Sequence, residues 1–491
     1  MKRFVAIGAI AVVLLAAGWS VVWWLGRDAL VRAFDAEVAR LEAAGWTVDW
    51  AGRSVGGFPF GYTIRLTELA AAEPTGGFAI RLPHASVEND GAEGVLVRLP
   101  ESFAADLPLP ATPRADASVP AVLQTTGEAS GLVVRLAGAG GVEQSVDVDA
   151  ESLVWRLRQP DAAAEQALTL EALDAGMESA GAETTFRLQA GRYGVEAAVV
   201  EDEGPPSTMS ASYRDVTLTG RTELRTIEAL GEMLYAGAPG RLELALQAGP
   251  AESRLVGGDD ERRGTLDWQG GSISAVATLS SGRMELQGET RQNVWTLTPE
   301  TPGTLIGGAL SAGMVQATYA VPMAPAPEPD DLAIRLALLD VALDEAAWQA
   351  IDPAGALPRG PAELVIDLSG LARVTRRIDE MNAGDPPPFE VSELQVTEVA
   401  LDALGATARA SGSVEFLQPI GLPLGTVQVG MTGIAALIDA LGQARVLTPD
   451  MVEMADAMLT VYARPADGGD VWTTEITFSE EGPLVNGLPI R

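Results

Sequence analysis

The sequence predicts a mainly β protein (α+β): an N-terminal transmembrane helix, then a large curved antiparallel β-sheet body with a few packed helices. Three observations carry that prediction. Phe4–Leu25 is an uncharged apolar run that no later segment matches in length. Beyond Gly45, apolar residues recur at every second position, the spacing of a half-buried strand. Clusters of Gly, Pro, Asn and Asp separate many of these stretches, as turns do.

The apolar run reads FVAIGAIAVVLLAAGWSVVWWL. As a helix it spans about 33 Å, enough for a hydrocarbon core of about 30 Å. Lys2 and Arg3 precede it, which keeps the N-terminus on the cytoplasmic side. Trp19, Trp23 and Trp24 cluster toward the far end, where amphipathic rings favour the headgroup layer. Ala16-Ala17-Gly18 offers a small-residue cleavage site, but apolar character runs on to Leu25, so an uncleaved signal-anchor is the expectation. Residues 1–3 then form a cytoplasmic tail and 4–25 the anchor.

Residues 26–45 read as an amphipathic stalk, with Leu30, Phe34, Val38 and Leu41 on one face and Gly45 as a stop. Period two begins with Trp46, Val48 and Trp50 and resumes at Tyr62, Ile64 and Leu66, after the Gly/Pro-rich turn Gly52–Gly61. Further alternating stretches are Leu132–Leu136, Val146–Leu157, Leu242–Leu246, Ile273–Leu286, Leu332–Leu338, Leu364–Leu368, Val391–Val399 and Thr407–Phe416. Helices are expected at Ile227–Tyr235, Glu345–Ile351, Ile434–Leu441 and Pro449–Tyr462, the last with Thr448 as N-cap and Pro449 at its first position. The proline-rich stretch 322–331 divides a β-rich region, 46–321, from a second, 332–491, either as a linker or as a long loop.

Composition excludes whole classes of chemistry. There is no Cys, so disulfides, thiolate metal sites and thiol nucleophiles are ruled out. His84 is the single histidine and Lys2 the single lysine. A net charge of −34 argues against nucleic acid as a partner. No cofactor and no metal are expected.

Gly52-Arg53-Ser54-Val55-Gly56 matches the G-x-S-x-G nucleophile pattern. The segment that follows cannot open the required helix, and the chain lacks alternating parallel strands, so the glycines read as turn residues. His84 reads as an ordinary edge or surface residue. Asp147, Asp149 and Glu151 alternate and read as a solvated strand face rather than a calcium site. The 257–261 stretch, Gly-Gly-Asp-Asp-Glu, reads as a polar hairpin tip. Met451, Met454, Met458 and Tyr462 form a stripe that reads as core packing in preference to a docking surface. Gly57, Phe58, Pro59, Phe60 and Gly61 are the candidate interaction turn.

GWTVDW followed by VGGFPFGYTIRL resembles an uncharacterised proteobacterial family of unknown function, DUF2125. The C-terminal blocks GSVEFLQPIGLPLGTVQVGMTGIAALIDAL and FSEEGPLVNGLPI carry the rest of the likeness. More distantly, an anchor followed by long β-rich sequence resembles AsmA-type envelope proteins, which implies lipid transport or outer-membrane homeostasis through an apolar β-groove. The expected setting is a bacterial inner membrane, crossed once, with the body in the periplasm. The expected function is a non-enzymatic envelope role, handling a lipid or another apolar ligand. Alternatives are an envelope scaffold or assembly factor acting through protein contacts, and a carboxylate-based periplasmic hydrolase.

Overall fold

The computed structural model describes residues 2–58, 61–74, 78–89, 94–108, 122–137, 143–158, 165–199, 207–224, 227–258, 263–300, 307–381, 387–418, 421–466 and 470–489, with first-helix side chains at Ser20 and from Trp24 onward. These residues are mostly strand, paired antiparallel, with five α-helices among them. Two compact units divide the chain. The first comprises Met1–Gly181, Thr185–Asp202 and Thr208–Ser212; the second comprises Ala182–Thr184, Glu203–Ser207 and Tyr213–Arg491. The proline-rich stretch 322–331 lies inside the second unit, where the Ala326 N–H donates to the Val374 carbonyl at 3.2 Å.

The first unit opens with α1 (Lys2–Ala43), so the expected anchor and stalk are one continuous helix. Among the described residues no helix is long and apolar enough to cross a membrane, and most side chains of Phe4–Leu25 lie outside that set. Gly45 ends α1 at φ +91. The Trp46 N–H returns to Leu41 O and that of Gly45 to Glu42 O, which satisfies carbonyls at the helix end. Leu30 of α1 packs on Ile64 and Leu66, with Phe34, Trp50, Val55 and Tyr62 around them.

Strands β1 (Thr47–Asp49) and β2 (Gly52–Gly56) lie end to end along β3 (Thr63–Ala72). The expected turn Gly52–Gly61 is thus shorter, because Gly52–Gly56 is itself a strand whose polar and glycine-rich composition hides its pairing. On the other side of β3 runs β4 (Ala79–Asn89), flanked by β5 (Gly94–Arg98) and β6 (Ser102–Pro108) end to end. Next come β7 (Val122–Ser130) and β8 (Val133–Ala137), again end to end, against β9 (Glu143–Arg158). β10 (Glu165–Ala180) pairs with β9, and β11 (Glu183–Val199) follows.

One line of irregular backbone runs across this sheet. Glu68 in β3 and Ala172 in β10 take φ +53 and +51, and the ladder pairing lapses at both while the register on either side stays the same. In line with Glu68 and Ala172, β5 gives way to β6 at 99–101 and β7 to β8 at 131–132, while β4 and β9 run through. The resulting crease lets each long strand contribute to two leaves, as corner strands do in folded sheets. Burial reports the change of phase. The pairs Ala129/Leu132, Ala150/Leu153 and Leu170/Leu173 are three residues apart, yet all six share one core. On an unbroken strand, residues at i and i+3 would face opposite sides.

The second unit repeats the device. Its strands are β12 (Ser207–Thr222), of which Thr208–Ser212 counts with the first unit, β13 (Arg241–Ala248), β14 (Ala251–Gly257), β15 (Gly264–Gly270), β16 (Ser272–Ser280), β17 (Arg283–Pro299), β18 (Gly308–Pro322) and β19 (Asp330–Leu343). Asp215, Gln292 and Asp340 have positive φ, and β13/β14 and β15/β16 break at Gly249–Pro250 and Gly271. Each of these three side chains lies over a neighbouring glycine. A Cβ on Gly313 would stand 2.8 Å from Asp340 Oδ2, and one on Gly271 would collide with Gln292. The expected single stretch Ile273–Leu286 is a hairpin instead, turned at Ser281 and Gly282, both at positive φ.

A meander continues through β20 (Ala362–Val374), β21 (Phe389–Ala403), β22 (Ala406–Leu417) and β23 (Leu422–Thr432). It closes with β24 (Arg464–Pro465), β25 (Val471–Ser479), β26 (Gly482–Val485) and β27 (Leu488–Pro489). The helices of this unit are α2 (Ile227–Ala236), α3 (Glu345–Ile351), α4 (Ile434–Gln443) and α5 (Pro449–Tyr462). Capping sets the bounds of α3 and α5, through Asp344 Oδ1 on the Ala347 N–H and Thr448 Oγ1 on that of Met451.

Helix α4 begins at Gly433, which has no side chain to cap it. Asp470, far along the chain, accepts instead from the N–H groups of Ala435 and Ala436 and from the Trp472 indole. Burial works to raise the Asp470 pKa, but the Ala436 N–H, the Trp472 indole and the Ala435 N–H together hold it below the usual carboxylate range. Asp470→Ala is therefore expected to cost about 1 kcal/mol, read by urea denaturation. Because the folded pKa is depressed, the contribution is complete above the unfolded value of about 3.9 and fades as pH falls through the folded one. Acid titration of wild type should show that loss and the variant should not.

Candidate functional site

The candidate turn sits at the tip of the β2–β3 hairpin, in the first unit. Gly57 takes φ +103 and its carbonyl accepts from the Gly61 N–H at 2.8 Å, so the loop closes on itself. A Cβ at Gly57 would stand 2.6 Å from the Gly61 oxygen, which leaves no room for any other residue. Phe58 is more than half exposed. Pro59 and Phe60 lie outside the described residues.

Ser54 lies within β2, opposite Arg65, rather than on a strand-to-helix turn. Arg65 in turn pairs with Ser86, two residues from His84. Ser54 and His84 are therefore two strand spacings apart sideways, about 10 Å, and about 7 Å apart along the strand. No hydrolytic pair forms. The carboxylates of β9 are also accounted for. Asp149 pairs with Arg135, Asp147 with Arg187 at 3.1 Å, and Glu151 accepts from Ser130 Oγ at 3.0 Å. Among the described residues no group of three or more His, Asp or Glu side chains is placed to hold a metal ion. Of the 257–261 stretch, residues 259–261 lie outside the described residues, while Gly257 ends β14 where it pairs with β15.

The methionine stripe corrects the expectation of core packing. Met451, Met454 and Met458 are exposed, because α5 turns a different face, Val452, Ala455 and Leu459, inward. A Cβ on Gly442 of α4 would lie 2.9 Å from Val452 Cγ2, which marks the α4–α5 contact.

Two open cavities follow the crease of the first unit. One, of about 470 Å³, is lined by Leu69, Leu82, Phe103 and Gly127, and by the charged residues Glu68, Arg81 and Glu128. Register explains the apolar part. Leu69 pairs with Leu82, Phe103 with Gly127, and Gly127 with Trp155. Continuing the β4–β6 register one residue past Arg81↔Ala104 sets Leu82 beside Phe103. One apolar row therefore crosses five strands. The Phe103 ring lies over Gly127, where any Cβ would collide with it, and meets Trp155 edge-on at 5.8 Å. The second cavity, of about 590 Å³, is lined by His84, Arg98, Glu101 and Ser102 together with Leu99 and Leu132. Arg98 is engaged with Glu88 at 3.4 Å, and no hydrogen bond joins His84 to a nucleophile or carboxylate among the described residues.

A family model described as an uncharacterized protein conserved in bacteria, DUF2125, matches residues 23–281 and 235–490. The chain belongs to this family. No curated protein matches it. In this DUF2125 protein the block VGGFPFGYTIRL contributes to the paired strands β2 and β3, and GSVEFLQPIGLPLGTVQVG to the paired strands β22 and β23. The first carries the core beneath α1, including Ile64 and Leu66. The second sets Gly412 close against the backbone at Thr426 and Gly425 close against that at Ser413.

Proposed function

We propose that this DUF2125 protein is a membrane-anchored, non-catalytic envelope protein that holds a lipid or another apolar ligand in the crease of its first unit. The apolar row through Leu69, Leu82 and Phe103 carries the reading. Its cavity of about 470 Å³ falls within the range of small-ligand sites, about 300–1,000 Å³. The anchor rests on the uncharged run Phe4–Leu25 behind Lys2 and Arg3. Leu69 links the two, since it packs against the cluster that receives α1 and also lines the cavity. The chain's net charge of −34 includes Lys2 and Arg3 on the cytoplasmic side, so the body is more acidic still and is repelled by an anionic bilayer over about one Debye length, roughly 8 Å. Lipid contact is thereby limited to a local apolar mouth.

The test is native mass spectrometry with lipid extraction, on protein purified from its own membrane. Wild type should carry bound lipid and Phe103→Leu should retain it. Phe103→Glu should lose most of it, because an unpaired carboxylate in an apolar site costs several kcal/mol. A wild-type protein that emerges free of lipid would end this reading.

A further inference from the structure

Helix α5, in the second unit, is apolar over more of its circumference than its packing uses. A single buried face needs an arc of roughly 100°. Here Val452, Ala455, Leu459 and Tyr462 occupy one such arc and are partly buried. Directly beside it stands a second arc, Met451, Met454, Met458 and Val461, exposed by 44, 57, 54 and 53 %. These positions follow steps of three, four and three, the spacing by which one helix presents a seam to another. Single exposed apolar residues are ordinary, but an aligned seam marks an interaction surface. Methionine suits it, being unbranched and able to mould to an apolar partner.

Charge selects the occupant. Asp450, Glu453 and Asp456 are all exposed on α5, and the helix carries no cation. A second copy meeting this face would set acidic flank against acidic flank, and an anionic bilayer would be repelled in the same way. We propose that the Met451–Val461 face of α5 docks a cationic amphipathic helix of another protein, its apolar ridge on the methionines and its Lys or Arg residues beside Asp450 and Glu453. This surface is separate from the crease cavity and does not depend on the ligand assigned there.

The absence of cysteine permits a direct test on the full chain. M458C carries an environment-sensitive fluorophore, with the protein held in zwitterionic nanodiscs so that no detergent covers the face. The probes are a synthetic helix of Leu and Lys with all Leu on one side, and a peptide of identical composition with the Leu scattered. The amphipathic peptide should shift the emission saturably and bind at least about tenfold more tightly than the scattered one. Adding M451S and M454S should weaken it by about tenfold while leaving the scattered peptide and the thermal melt unchanged. A label at D456C, on the polar side, should not respond. Equal binding of the two peptides, or no loss on the serine substitutions, would overturn the proposal. So would self-association of the full chain that M451S/M454S abolishes, which would assign the face to a second copy. Binding to anionic vesicles lost in the same variant would assign it to lipid.

Discussion

Gly412→Ala is expected to destabilise the second unit by about 3 kcal/mol, and Gly425→Ala by a similar amount. The two glycines lie on the paired strands β22 and β23, flanking the Ser413↔Thr426 pair. A Cβ on Gly412 would overlap the Thr426 carbonyl oxygen, and one on Gly425 would overlap that of Ser413. Each obstacle is backbone, so no side-chain rotation relieves it. Gly425 also sits at φ +151, a conformation that other residues rarely adopt. Gly430→Ala is the internal control, on the same strand with nothing within 4 Å of its Cβ. Urea denaturation followed by circular dichroism should show a lower midpoint for the first two and an unchanged or higher one for the control. Equal behaviour of all three would refute the close approach.

Ile64→Ala should cost the first unit about 3–4 kcal/mol, since a fully buried branched side chain leaves a cavity that its surroundings fill only in part. Ile64 is 0 % exposed and sits between Leu30 of α1 and Leu66 of β3. The effect should extend beyond stability. The C-terminal half of α1 is held by this cluster together with Arg53, which pairs with Asp35 at 2.6 Å and lies over the Phe34 ring. Hydrogen exchange across Gly26–Ala43 should therefore accelerate in Ile64→Ala. Arg65→Ala, on the exposed side of the same strand, should stay within about 0.5 kcal/mol of wild type and leave exchange in α1 unaltered.

Legibility in the sequence followed the physics of each element. Helices α3 and α5 were readable to their bounds, because Asp344 and Thr448 act locally as caps. Long alternating strands such as β9, β21 and β22 were readable for the same local reason. The run EQALTLEALDAGMESA was not, as its Ala, Leu and Glu favour a helix while fifteen register pairs hold it against β9. Its alternation also changes phase at Ala172, so no long window shows period two. Positive φ at Glu68, Asp215, Gln292 and Asp340 was equally hidden, since none is Gly or Asn. The candidate turn was legible through its glycines. The crease cavity was not, because Leu69, Leu82, Phe103 and Gly127 are brought together only by register across strands. The methionine stripe was plain, but a wheel records where apolar residues lie, and cannot say which of two adjacent arcs a neighbouring helix will cover.

The split strands along the crease bear on how such a chain can change over time. At 50–51, 99–101, 131–132, 249–250 and 271 the chain passes between two collinear strand pieces without belonging to either. Residues inserted there would put at risk only the bonds at the break itself, such as Ala51 N–H to the Thr67 carbonyl and Gly271 N–H to that of Arg291, and could loop outward while both leaves keep their registers. Each unit therefore carries natural grafting points of its own, and those at 50–51, 99–101 and 131–132 follow the crease of the first. Related chains would be free to differ in what they append around the mouth while preserving the sheet that forms it.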